Sequence, residues 1–236
     1  MSALSGRRVL ITGISRGIGF ETARLFLAEG AELVGTARDA ARLEAARSAL
    51  DPGGARLSVV AADLADPAAP ERIARAVEAR WGALDVLFSN AGVQVDGGAR
   101  GFADGTAAAF DESLAVNLVA PYRLALALLP ALERGVEPRI VNVSSGAGNF
   151  ESMKSSGIAS YRLSKFALNG FTLLLSSELK GRASVNAFDP GWVKTDLGGP
   201  QAPGEPVESA RGALAVVTLP FSESGKFWKD GREIPF

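Results

Sequence analysis

Short runs suited to β-strands alternate with longer runs of helical character along almost the whole chain, and this alternation restricts the fold more than any other feature. RVLIT (8–12), ELVGT (32–36), LSVVA (57–61), DVLFS (85–89), RIVNV (139–143) and SVNAF (184–188) are candidate strands. Several are apolar on both faces, as strands of a parallel sheet covered on both sides must be. Helical stretches lie between them. In the first, Ile18, Thr22, Leu25 and Phe26 share one face and Gly30 supplies the stop. Others are expected near 40–50, 68–81, 106–132 (bent at Pro121) and 160–179. Strict alternation predicts right-handed βαβ units in an α/β, Rossmann-type doubly wound parallel sheet of about seven strands, with helices on both faces. GKFWKDGREI (225–234) reads as the last strand, with Asp230-Gly231 as a turn signal near its end.

The chain has 236 residues, 47% hydrophobic and 22% charged, so one well-buried core is available and residues 1–236 read as a single domain. Nothing large enough to be a second domain follows the Pro/Gly-rich stretch GGPQAPGEP (198–206). Residues 193–208 therefore read as a mobile flap over a substrate site. A net charge of -1 offers no basic field for nucleic acid or an anionic membrane. With no histidine and no cysteine, a disulfide framework and a thiolate nucleophile are excluded, and no metal site is expected. The start, MSALSGRRVLITG, lacks an export signal, and the greasiest run, LALALLPAL (124–132), holds Pro130 and falls short of the ~20 residues of a membrane span. A soluble, cytoplasmic protein is the expectation.

The first strand runs directly into TGISRGIG (12–19) and then into a helix. Gly13, Gly17 and Gly19 remove side chains where the chain turns sharply. Backbone N–H groups at the helix start can then meet a pyrophosphate, whose charge the helix dipole favours. The spacing is G-x-x-x-G-x-G rather than the general dinucleotide G-x-G-x-x-G, and a glycine turn without a ligand would use the same residues. The second strand ends GTARD (35–39), with Ala37 where many NAD-binding proteins hold an acid for the ribose hydroxyls. Arg38 stands next to it, and Arg16 lies in the glycine loop. An arginine fork matches a phosphate, so the pair favours NADP(H) over NAD(H). A solvated loop arginine is the plainer alternative for Arg38.

ASYRLSKFALNGF (159–171) puts Tyr161 and Lys165 four apart, on one helix face. A free tyrosine titrates near pH ~10, so proton chemistry at neutral pH needs a charged neighbour. The Lys165 ammonium, with a positive oxidised nicotinamide nearby, is expected to lower the Tyr161 pKa by ~3 units, about 4 kcal/mol of differential interaction. A tyrosine so tuned can give a proton to a carbonyl oxygen and take it back. Y-x-x-x-K also arises by chance as an ordinary helix-surface pair.

Taken together, these residues resemble the short-chain dehydrogenase/reductase family, and the likeness covers nearly the whole chain. TGISRGIG matches its cofactor loop, ADL (62–64) the segment bordering the adenine, SNAG (89–92) its N-N-A-G motif and YRLSK its Y-x-x-x-K pair. VNVSSGAG holds the serine, and DPGWVKTDL (189–197) contains the P-G-x-V-x-T segment. The resemblance implies four catalytic residues: Asn117, Ser145, Tyr161 and Lys165. Ser145 is in register before x-x-Gly, with Ser144 as the fallback. It implies a cofactor site of Gly13, Ser15, Arg16, Gly17, Ile18, Gly19, Arg38, Asp63, Leu64, Asn90, Ala91, Gly92, Tyr161, Lys165, Pro190, Gly191, Val193 and Thr195. Within that scheme Ser145 hydrogen-bonds the substrate oxygen, Lys165 holds the nicotinamide ribose, and Asn117 positions a water joining Lys165 to solvent. Val193 and Thr195 clamp the carboxamide, and Asn90 braces the central strands.

The expectation is an NADPH-dependent reductase of an apolar aldehyde or ketone, or the reverse alcohol oxidation, acting as a homodimer or homotetramer. Trp192, and less strongly Phe150 and Met153, are candidates for the substrate wall. An idle NADP(H)-binding sensor or scaffold, and a lyase or epimerase using the cofactor transiently, stand as alternatives.

Overall fold

Strand β1 (Arg8–Thr12) lies near the middle of one sheet because its neighbours leave no face of it in water: Val9, Leu10 and Ile11 are all fully buried. Val9 and Ile11 point into a core with Phe26, Phe88, Val141, Phe188 and Val216; Leu10 points to the other face, among Leu87, Leu124, Leu128, Ile140 and Val185. This is the period-two alternation of a strand buried on both sides. The computed structural model describes residues 2–97 and 102–236.

The sheet runs β3-β2-β1-β4-β5-β6-β7-β8, with β2 (Glu32–Ala37), β3 (Leu57–Ala61), β4 (Val86–Ser89), β5 (Arg139–Val143), β6 (Ser184–Phe188), β7 (Phe227–Lys229) and β8 (Arg232–Ile234). All pairs are parallel except β7 with β8. Strand order reverses between β1 and β4, and the crevice at the carboxyl ends of an open sheet opens at such a point. The doubly wound class matches the alternation in sequence. The tail forms a hairpin, Asp230 standing at φ 48° and Gly231 at φ 72°, so the expected count of about seven strands becomes eight among the described residues.

Helices α1 (Gly17–Ala28), α2 (Ala40–Leu50), α3 (Ala69–Trp81) and α6 (Ala159–Glu178) lie close to their expected places, and α7 (Pro206–Val217) follows the Pro/Gly-rich stretch. The stretch 106–132 forms one continuous helix with a π-helical turn within it. Helix α4 (Ala107–Leu114) passes through a π-helical turn, Ala115–Val119, into α5 (Ala120–Glu133). Pro121 stands directly after that turn, inside the continuous helix, where it lacks the N–H that the backbone ladder would use. The irregularity is thus the widened turn that carries Asn117. The continuous helix, 27 residues of mean hydropathy 1.5, is long and apolar enough to cross a membrane by length and composition alone, unlike the short run judged from sequence. Its inward residues Leu124, Leu128 and Leu132 are buried in the core.

Candidate active site

The glycine loop is shaped by close backbone contact. Gly13 (φ 77°) and Gly17 (φ 59°) occupy the left-handed region, where a side chain is strained. A Cβ on Gly19 would lie 2.1 Å from the Gly13 carbonyl oxygen and 2.5 Å from Asn90 Nδ2, so only glycine fits. Asn90 braces this turn: its Nδ2 donates to the Thr12 carbonyl at 2.8 Å, and Thr12 Oγ1 accepts the N–H groups of Asn90 and Ala91 at 3.0 and 2.9 Å. Arg16, the residue before α1, provides no side-chain cap, leaving the helix's first N–H groups to an incoming anion.

From this loop a cleft of about 1380 Å³ follows the carboxyl ends of the strands. Every candidate catalytic and cofactor residue named above lines it except Asn117, and Trp192 lines it too. At the end beside β2 stand Arg38, exposed, and Arg42 of α2, a cation the sequence reading missed. Arg16 does not join them. Its guanidinium pairs with Asp196, beyond β6, so the glycine-loop arginine closes across the cleft rather than extending the Arg38 site. The uncapped helix start, the glycine cradle and Arg38 with Arg42 together suit a phosphorylated dinucleotide.

At the other end Ser145, Tyr161 and Lys165 converge. Ser145 follows β5, and its Oγ accepts the N–H of Ala147 at 3.1 Å and reaches the Tyr161 phenol. The Ser144 hydroxyl instead donates to the Lys165 carbonyl, which separates the two serines. Helix α6 can sit this close because Gly148 meets it: a Cβ there would be 2.6 Å from Lys165 Cβ. Lys165 is buried, its Nζ donating to the Val143 carbonyl at 2.8 Å and standing 5.7 Å from the Tyr161 ring centroid. Gly92 leaves room for it, since a Cβ there would come within 3.4 Å of Nζ.

The chain's own groups shift the phenol upward, opposite in direction to the lowering expected with a bound nicotinamide. Burial pushes the Tyr161 phenol up to about 12, the Asp189 carboxylate adds to the rise, and the Ser145 hydroxyl opposes it. Burial likewise pulls Lys165 down to about 8, against the attraction of Asp189. The chain's own groups therefore hold a neutral phenol, with burial as the largest cause. Asp189 itself is buried, accepts the Gly191 N–H at 2.9 Å and pairs with Lys229 of β7 at 3.1 Å. Both line the cleft, and neither stood out in the sequence.

Asn117 lies behind the cleft wall. Its Oδ1 accepts the Val93 N–H at 2.8 Å, and its Nδ2 donates to the Val93 carbonyl and to Ser164 Oγ, both at 2.9 Å. The side chain expected to position a water is thus a strut between the segment after β4 and α6. Phe150 and Met153 are also misplaced by the sequence reading. Phe150 turns to a separate apolar groove with Phe166 and Phe236, and Met153 does not line the cleft. The same loop instead contributes Ile158, held at φ 45°, ψ 46° just before α6. A β-branched residue is strained there, and such strain clusters at functional sites.

The family model for short chain dehydrogenases matches residues 7–206. Over 158 residues the chain is 36% identical to the C-signal protein of Myxococcus xanthus, covering 66% of this chain and 94% of that one. It is 31% identical over 193 residues to the 3-oxoacyl-acyl-carrier-protein reductase FabG of Escherichia coli strain K12, covering 81% of this chain and 75% of that one. Among solved structures, a short chain dehydrogenase from Burkholderia cenocepacia J2315 in complex with NADP superposes with a TM-score of 0.84 at 30% identity, covering 95% of this chain and 96% of that one.

Proposed function

The chain belongs to the short-chain dehydrogenase family, and from that premise we propose that it is an NADPH-dependent reductase of an apolar aldehyde or ketone, also able to run the reverse alcohol oxidation. The observation that carries this is one cleft with a phosphate-binding glycine loop at one end and the Tyr161 phenol, Ser145 hydroxyl and Lys165 amine at the other. The NADP held by the Burkholderia relative and the keto-group reductase FabG support the cofactor and the reaction type.

A nicotinamide cofactor, once bound, would supply the hydride. The chain supplies the proton and the electrostatics. Ser145 Oγ donates to the substrate carbonyl oxygen and stabilises the charge that develops there. Tyr161, protonated because its environment raises it to about 12, gives its proton to the same oxygen. Lys165, charged below about pH 8, stabilises the phenolate left behind and holds the ribose side of the cofactor. A raised phenol pKa suits reduction, since the donor form dominates; oxidation needs the phenolate and so depends more on nearby positive charge. Arg38 takes the 2′-phosphate. Gly13, Ser15, Gly17, Ile18 and Gly19 cradle the pyrophosphate, while Asp63, Leu64, Ala91 and Gly92 border the adenosine half. Pro190, Gly191, Val193 and Thr195 seat the carboxamide. Asn117 serves by holding the wall behind Lys165.

Residues 193–208 act as the flap over the substrate, with Trp192 at its root; the single bridge from Val193 to Gly204 would tie its two ends. The exposed apolar residues Tyr122 and Leu126 on α5 and Leu163 and Leu174 on α6 support a homodimer or homotetramer. We place the protein in the cytoplasm.

Tyr161→Phe is the test. With a panel of small aldehydes and ketones, the wild type should consume NADPH and the variant should lose most of that rate while binding NADPH normally. Equal rates would reject Tyr161 as the donor. Tight NADPH binding with no turnover by the wild type on any carbonyl would favour an idle sensor.

A further inference from the structure

The helix that carries Tyr161 begins without a local cap. Ile158, just outside it, has no side chain able to accept a hydrogen bond and is itself in the left-handed region. The first N–H groups of a helix have no partner within the helix, and burying them unpaired is costly. Here two of them are met from a distance. The Ser160 N–H donates to Asp96 Oδ1 at 3.1 Å, and the Tyr161 N–H donates to Asp96 Oδ2 at 3.0 Å. Asp96 is only 7% exposed and lies 64 residues before Ser160, on the segment leaving β4.

The opposite side of the same residue is held as well. The Ser164 hydroxyl donates to the Tyr161 carbonyl at 2.7 Å and accepts from Asn117 Nδ2 at 2.9 Å. Asn117 in turn grips both polar groups of the Val93 backbone, three residues before Asp96. The Tyr161 backbone is thus fixed at its N–H and at its carbonyl by groups anchored to one segment.

From this geometry we infer that Asp96 is a positioning residue for the proton-donating Tyr161: its carboxylate caps α6 so that the phenol is held over the reacting oxygen. The inference rests on the role proposed for Tyr161. Small displacements of a reacting group are expensive in rate, with ~1 Å enough to cost about 100-fold. Substitution at Asp96 should accordingly act on turnover while leaving the cofactor loop, at the far end of the cleft, undisturbed.

The experiment compares Asp96→Asn, which keeps one acceptor oxygen, with Asp96→Ala, which keeps none. The expected result is a graded fall in kcat, about 10-fold for Asn and about 100-fold for Ala, with KM for the carbonyl and Kd for NADPH within about 2-fold of wild type. Hydrogen exchange read in parallel should quicken in the first turn of α6 and nowhere else. Unchanged kcat and unchanged exchange would overturn the inference, as would faster exchange across the whole chain, which marks a general structural role. If Ala fails to fold, the Asn variant and the exchange rates of Ser160 and Tyr161 in the wild type still decide, since unprotected amides there would also overturn it. Failure of the parent reading is distinguishable: Tyr161→Phe would then keep its rate although α6 exchange responds to Asp96.

Discussion

Replacing Lys165 by Met should remove activity yet stabilise the folded chain at neutral pH, by an amount that vanishes as the solution becomes alkaline. The Lys165 side chain is 3% exposed, and burial brings its pKa from the ordinary 10.5 down to about 8. In the unfolded chain the amine keeps its proton up to about pH 10.5; in the folded chain it releases it near 8. Between these values the unfolded state binds more protons, so wild-type stability rises with pH. The contribution is fully present above 10.5 and is lost as pH falls through about 8. At about 1.4 kcal/mol per pKa unit the window spans roughly 3 kcal/mol. Met has similar length and no charge, so it escapes that cost. It forfeits the hydrogen bond from Nζ to the Val143 carbonyl at 2.8 Å, worth about 2 kcal/mol when charge-assisted. The net gain is therefore about 1 kcal/mol at neutral pH, turning to a net loss above about pH 10.5. Urea unfolding of both proteins at matched pH values measures the difference, in which other titrating groups largely cancel. A stability difference that stayed constant from neutral to alkaline pH would refute the claim that this amine carries a desolvated charge.

Three other outcomes are expected. Gly19→Ala should abolish tight NADPH binding and lower the melting temperature, since its Cβ would lie 2.1 Å from the Gly13 oxygen; a fluorescence titration matching wild type would contradict the cradle. Arg38→Ala should weaken NADPH by ~1.5–3 kcal/mol, the scale of a charge-assisted bond, and NADH hardly at all; equal losses measured by calorimetry would exclude a phosphate contact. Asp189→Asn removes a carboxylate that raises both Tyr161 and Lys165. Both groups should then lose their protons at lower pH, moving the alkaline fall of the reduction rate toward neutrality. A pH–rate profile that stayed in place would show Asp189 to be electrically silent.

The strands and most helices were legible because their apolar residues recur at periods of two or of three to four, a property carried by neighbours in sequence. The glycine loop was legible for the same reason: its constraint is local. The tail hairpin was half legible, its Asp230-Gly231 turn read correctly but assigned to the end of one strand. The π-helical turn at Ala115–Val119 was hidden, since it is a change of hydrogen-bond register with no compositional mark. Asp96, Asp189 and Lys229 escaped notice because a lone acid or base takes its meaning from a partner far along the chain.

The same division runs through the chemistry. Tyr161 and Lys165 share a helix face because positions four apart must, and Arg38 follows the second strand whatever surrounds it. Those placements belong to the sequence alone. Which serine reaches the phenol, which arginine pairs with Asp196 and which stays open to the cleft, and how burial shifts the phenol were decided only when distant segments packed together. Burial, long-range pairing and the removal of water are properties of the assembled fold, and the protonation state of a buried group depends on all three.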